Sequence, residues 1–226
     1  YDVVTTLFVL ILTTESVFYE GTNMNRYEIS SSTAAPHFIG AWTLEPTDFC
    51  DDLVEFFETH EAKQKRGKMS SGFDPNVKKT IDITVKPKEL ELAGYEVFNL
   101  YLEKLFLCYK DYGEQWPFLA KYLGKLHIGS FKMGRYHPGD HYKQVHTERC
   151  DLSTSHRLFA WMTYLNDVED GGETEFPHYG INVKPQKGKT LIWPAEWTHA
   201  HSGNVLNSGV KYIMSGWMHF PESPSK

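Results

Sequence analysis

After Trp116-Pro117 the chain changes texture, and that change limits what it can fold into more than any other feature. From Lys125 onward, short β-like runs alternate with Gly, Pro, Asn and Asp turns, at 127–136, 142–150, 157–165, 181–184, 190–193 and 211–219. Many short strands at near-regular spacing predict a sandwich or jelly roll. The stretch before them has a helical texture. Thr47 is placed to cap a helix whose apolar positions Phe49, Leu53, Phe56 and Phe57 share one face. The basic run Lys63-Gln64-Lys65-Arg66 would end it, with Gly67 as the stop. A longer helix is predicted over 87–112, with Leu92, Tyr95, Leu102, Leu105, Phe106 and Tyr109 as its buried stripe. The fold class is therefore α+β and β-rich. A single domain over 1–226 is expected: an N-terminal strand and loop (1–36), a helical support region (37–124) and a jelly-roll barrel (125–221).

At 226 residues, 41% hydrophobic, the chain is long enough to bury a sizeable core. Aromatic residues make up 15%, which suits a β-rich interior with an apolar pocket. The formal charge of -6 speaks against a nucleic-acid partner, which calls for a basic stripe. Cys50, Cys108 and Cys150 are odd in number and unrelated in spacing, so neither a disulfide framework nor a zinc site is expected, and a reducing, cytoplasmic setting is. The apolar run at 3–12 is too short to span a bilayer and reads as an edge strand, with a cropped targeting segment as the alternative. Residues 21–36 read as a polar loop and 69–76 as a mobile one.

The chemistry concentrates in the barrel. His146-Thr147-Glu148 falls on a β-like run, where residues two apart point to one face, so His146 and Glu148 can reach one ion. Thr198-His199-Ala200-His201 follows, with two imidazoles on one face, and then the cation Lys211. Two imidazoles and one carboxylate, with the rest of the coordination sphere open, suit a non-haem Fe(II) site that activates oxygen. A fixed lysine nearby suits an acidic co-substrate. By residue type and spacing alone, His199 and His201 are both candidates for the second imidazole.

These residues lie in a pattern that resembles the 2-oxoglutarate/Fe(II) dioxygenases, and within them the prolyl 4-hydroxylase branch, over about 128–220. His201-x3-Val205-x3-Gly209-Val210-Lys211-Tyr212-x4-Trp217 is similar to the family's distal histidine, oxoglutarate-binding lysine and following tryptophan. Tyr136-His137-Pro138-Gly139-Asp140-His141-Tyr142 resembles its approach to the first ligand, and Asp170-Gly171-Gly172-Glu173-Thr174-Glu175-Phe176 its Gly-Gly-x-Thr-x-Phe turn. Arg157-x6-Tyr164-Leu165-Asn166 resembles a strand of the hypoxia-factor prolyl hydroxylases. The resemblance implies a double-stranded β-helix with His146, Glu148 and His201 as iron ligands. His201 is favoured over His199 because it stands ten residues before Lys211. It further implies Lys211, Tyr136 and Tyr164 on 2-oxoglutarate, and Arg157 and Trp217 as groove walls that touch substrate but neither the metal nor Lys211. Glu148 departs from the family's usual Asp, and its longer side chain still offers an oxygen.

The implied activity is hydroxylation of a C–H bond, with Fe(II) as cofactor, 2-oxoglutarate and O2 as co-substrates, ascorbate as a stimulant, and succinate and CO2 as products. A peptidyl proline is the expected substrate, with residues 69–76 as a lid over the peptide. The alternatives are a free amino acid, a small metabolite or another side chain. An alternative of another class is a non-catalytic, metal-binding jelly roll. No nucleic-acid or membrane partner is expected. Cys150 and the remaining histidines read as packing or surface residues, with His137 and His141 at the pocket's border.

Overall fold

In the computed structural model, residues 24–29, 36–69 and 72–221 are described. Their strands form two antiparallel sheets. The larger follows the order β1 (Met24–Arg26), β2 (Gly40–Leu44), β12 (Lys189–Pro194), β9 (Arg157–Tyr164), β14 (Lys211–His219), β7 (Phe131–Tyr136), β5 (Ile81–Val85) and β3 (Lys65–Arg66). A short strand, β6 (His127–Ile128), also pairs with β14. The smaller sheet runs β11 (Ile181–Val183), β10 (Thr174–Phe176), β13 (His201–Gly203), β8 (His141–His146) and β4 (Lys78–Lys79). Three helices, α1 (Asp48–Thr59), α2 (Glu96–Gln115) and α3 (Pro117–Tyr122), complete the described elements apart from short 3-10 turns. This is the β-rich α+β jelly roll with helical support that the sequence predicts.

Strand alternation makes two cores. Phe131 and Met133 of β7, Trp161 of β9 and Met214 and Met218 of β14 join Phe49, Leu53, Phe56 and Phe57 of α1 and Phe98, Tyr101, Leu102 and Leu105 of α2 in one cluster. The alternate positions, Tyr136, Met162, Tyr164 and Ile213, turn inward and meet Phe176, Ile181 and Val183 of the smaller sheet. The first core fixes the large sheet to its helices, and the second is the floor of the barrel. Each fully buried aromatic contributes about 1.5–3 kcal/mol from burial alone.

Several boundaries differ from the sequence reading. The region 37–124 holds the helices, and it also supplies β2, β3 and β5 to the two sides of the large sheet and β4 to the edge of the smaller one. Met24–Arg26, read as loop, pairs with β2, and Arg26 is anchored to Asp111 of α2. Thr47 sits at the N-cap position but makes no side-chain capping bond. α1 stops at Thr59, so the basic run is not its end: Lys63 lies in a 3-10 turn and Lys65–Arg66 pair with β5. The expected 87–112 helix begins later, because Gly94 adopts φ 89° and breaks it from the 3-10 turn Pro87–Glu91. Leu92, in that break, is 55% exposed instead of buried. The apolar run 3–12 lies outside the described residues, as do residues 70–71 of the expected lid. What is described there closes on itself through paired main-chain bonds between Met69 and Gly72.

Candidate metal centre

Strand β8 ends at His146 and strand β13 begins at His201, and the ladder between them pairs these two residues directly. The rings consequently face each other, with centroids 4.5 Å apart. His146 Nδ1 lies 2.9 Å from the Gln144 carbonyl, and His201 Nδ1 lies 2.9 Å from that of His199. A carbonyl only accepts, so each Nδ1 carries the proton, and each Nε2 keeps its lone pair for a third partner. A third electron-pair donor stands beside them. Glu148 Oε1 lies 3.3 Å from His201 Nε2 and 3.7 Å from His146 Nε2. One ligand atom from each of the three residues falls within 4.8 Å of the other two. Burial would push the Glu148 carboxyl upward, yet where His146 and His201 carry an Nε2 proton in place of a metal, their hydrogen bonds and charge hold it well below the usual carboxylate range. The donor set, its tautomers and its convergence fit a divalent Fe(II) ion with open positions.

Glu148 does not sit on the strand, as the sequence reading assumed. β8 stops two residues earlier, and the following turn is tied down by Thr147 Oγ1, which donates to the Ala195 carbonyl. His199 takes no part in the cluster: its Nε2 bonds to the His37 carbonyl at 2.8 Å, and burial lowers its pKa. Cys150, read as a small buried residue, is exposed.

Lys211, on β14, is buried against the wall that Gly172 and Tyr136 form. It is 3% exposed, and its Nζ donates to the Gly172 carbonyl at 2.7 Å and lies 4.3 Å from the centroid of the Tyr136 ring. Burial lowers its pKa to about 8, against a weaker opposing pull from Glu173. Gly172 is required here, since a Cβ at that position would stand 3.1 Å from Lys211 Cδ at φ 73°. Tyr136 is buried against the same ammonium. Tyr164 differs from expectation: its hydroxyl lies 2.6 Å from Thr174 Oγ1 and 3.1 Å from the Val183 carbonyl, so its proton is already engaged within the wall.

Arg157 and Trp217, read from the sequence as groove walls, both meet Glu148. The Trp217 indole N–H donates to Glu148 Oε2 at 2.7 Å. The Arg157 guanidinium lies over that indole, 3.7 Å from its centroid, and donates to the Glu148 carbonyl at 2.9 Å. Both therefore touch the carboxylate-bearing residue of the cluster. Sequence reasoning gave no role to Tyr142, whose ring stacks on His146 at 3.8 Å, or to Lys78, whose Nζ lies 5.3 Å from the Tyr142 ring centroid. Position parity was the available signal, since residues four apart on a strand share a face.

Comparison with known proteins agrees with this geometry. Residues 131–219 match the model of the 2OG-Fe(II) oxygenase superfamily, and the site candidates from Tyr136 to Trp217 lie within them. The chain is 29% identical over 96 residues to the prolyl 4-hydroxylase subunit alpha-1 of Gallus gallus, a match covering 39% of this chain but 17% of that protein. The chain thus spans only a small part of that relative's length. A Pseudomonas putida prolyl-4-hydroxylase superposes with a TM-score of 0.60 at 17% identity, covering 95% of this chain and 98% of the other. A Trichoplax adhaerens prolyl hydroxylase, solved with a hypoxia inducible factor peptide fragment, gives 0.59 at 12% identity, covering 95% and 88%. At such identities the structural likeness speaks for the fold alone. Over residues 131–219 the chain is thus similar to the 2OG-Fe(II) oxygenase superfamily, and within it to prolyl 4-hydroxylases.

Proposed function

We propose that this chain is an Fe(II)- and 2-oxoglutarate-dependent dioxygenase that hydroxylates a proline residue in a peptide. The observation that carries the reading is the convergence of His146, Glu148 and His201 beside a buried lysine whose hydrogen-bond acceptor is a carbonyl, not a carboxylate. A buried ammonium without a close counter-ion is unfavourable, and an incoming carboxylate relieves it.

In this reading His146, Glu148 and His201 hold the metal. Bound Fe(II) with 2-oxoglutarate supplies the activation of O2 that couples decarboxylation to succinate and CO2 with hydroxylation of a C–H bond. Lys211 pairs with the distal carboxylate of 2-oxoglutarate, against the Tyr136 ring. Ile213, Met162, Leu206 and Phe176 form a dry floor, which strengthens that pairing by excluding water. Tyr164 braces the wall. A peptide enters over Trp217 and Tyr142, with residues 69–76 as the lid that folds across it.

A proline-containing peptide is supported by the prolyl 4-hydroxylase relatives, and by a structural neighbour solved with a peptide. Ascorbate as a stimulant and a cytoplasmic setting belong to the same proposal. The second is in keeping with three free cysteines, and no described helix is long and apolar enough to cross a membrane. The test is an assay that counts succinate and hydroxyproline together, with a proline-rich peptide library, Fe(II), 2-oxoglutarate and O2. Iron-dependent formation of both is expected. Succinate without hydroxyproline on any peptide would move the substrate to a small metabolite or another side chain. Neither product, with no metal binding, would overturn the oxygenase reading.

A further inference from the structure

The two oxygens of Glu148 have different neighbours. Oε1 faces the two imidazole nitrogens, while Oε2 accepts the Trp217 indole N–H at 2.7 Å and lies 3.8 Å from Arg157 Nη1. Arg157 also holds the Glu148 main-chain carbonyl and covers the indole. The residue is therefore fixed at its backbone and at one end of its carboxylate, with a stacked cation behind the donor. Such anchoring answers a local need. Glu148 lies beyond the last ladder position of β8, so no strand pairing sets its direction. A glutamate also has one more free torsion than an aspartate in the same place. Trp217 is well suited to compensate, because β14 is paired on both sides, with β7 and β9, and carries the indole on a rigid element.

We propose that Trp217 and Arg157 are positioning residues matched to the length of Glu148, holding Oε2 so that Oε1 alone is presented to the metal. This rests on Glu148 being a metal ligand, as the proposed function has it. An aspartate would draw the carboxylate back by one carbon–carbon bond, about 1.5 Å, and so break the indole bond. The worth of Trp217 to the metal should therefore depend on which acid stands at 148.

A double-mutant cycle read by Mn(II) binding to metal-free protein, followed by calorimetry without co-substrate or oxygen, tests this. Trp217→Phe keeps the aromatic packing and removes the N–H. In the Glu148 protein it should weaken Mn(II) binding roughly 10- to 100-fold, the usual effect of losing a partner behind a metal ligand. In a Glu148→Asp background the same change should alter binding less than about twofold, since the bond is already gone. An equal factor in both backgrounds, or no effect in the Glu148 protein, would overturn the inference while leaving the oxygenase reading intact. Failure of the unmodified protein to bind Mn(II) at all would instead overturn the ligand assignment, and both proposals with it. Trp217→Leu, which also removes the N–H, carries the same cycle with the same outcomes if Trp217→Phe does not fold.

Discussion

Lys211 occupies a place where an ammonium group is poorly accommodated, and its titration gives the site a pH dependence whose direction can be stated. Its pKa is lowered to about 8. Between that value and the ordinary lysine range, the unfolded chain holds a proton that the folded one has released. Without ligand, this lysine therefore adds stability as pH rises through that window. Binding of a carboxylate runs the other way, because the neutral amine must take up a proton first. Affinity for 2-oxoglutarate should fall about tenfold per pH unit above 8, and Lys211→Met should flatten that profile while weakening binding roughly 30-fold or more. Calorimetric titrations from pH 7 to 9.5 check both, and a slope that persists in Lys211→Met would assign it to another group. The histidines give a second test. His201→Ala should abolish Mn(II) binding, whereas His199→Ala should cost no more than about tenfold, since only its main-chain carbonyl meets His201. Residue types and spacing singled out His146, Glu148 and Lys211 in the sequence but left His199 and His201 open, and the family resemblance favoured His201. The indole–carboxylate bond was not legible, because it depends on where the chain turns after β8, whereas the Tyr142 stack lies within that strand and parity alone could have signalled it.

Among the elements, β14 was the easiest to read, since buried and half-buried positions largely alternate along it, whereas β9 shows as an apolar run buried at its last six positions. β2 is buried at every position, so it shows no alternation and blended into the helical region around it. β10 and β13, three residues each, are too short for any period to appear, yet β13 carries His201. The turn that leads into β10 is dictated by contact. A Cβ on Gly171 would stand 2.3 Å from the Val205 carbonyl oxygen at φ 79°, whereas one on Gly209, at φ 73°, would meet nothing within 4 Å. Gly209→Ala should therefore cost only the left-handed conformation, about 1–2 kcal/mol. Gly171→Ala adds overlap with main chain, for about 1–3 kcal/mol more. Thermal melts of the two variants should separate by several degrees, since each kcal/mol shifts the midpoint by about 2–4 °C in a domain of this size. Equal midpoints would show that the turn moves aside.

At the scale of the molecule, the jelly roll was legible because many short strands after a helical stretch leave few alternatives. The division into two sheets was not, because β4 and β5 are separated by Thr80 alone and yet belong to different sheets. The candidate centre draws His146 and His201 from the smaller sheet, with Glu148 in the turn beyond it and Trp217 from the larger. A metal there should bind the folded form and not the unfolded one. At a hundredfold excess over its dissociation constant it should add about 2.7 kcal/mol, raising the midpoint by about 5–10 °C. Calorimetry with and without a chelator checks this, and a shift that survived in His201→Ala would point to a different site. The direct pairing of His146 with His201 has a further consequence, for how such a chain can change over descent. A slip of one residue in that ladder would turn the second ring to the opposite face of the sheet, and no substitution elsewhere could bring it back. Between β12 and β13 a lineage can rewrite exposed letters such as Trp197, but the number of letters is held by the register, so insertions and deletions should be far rarer there than substitutions.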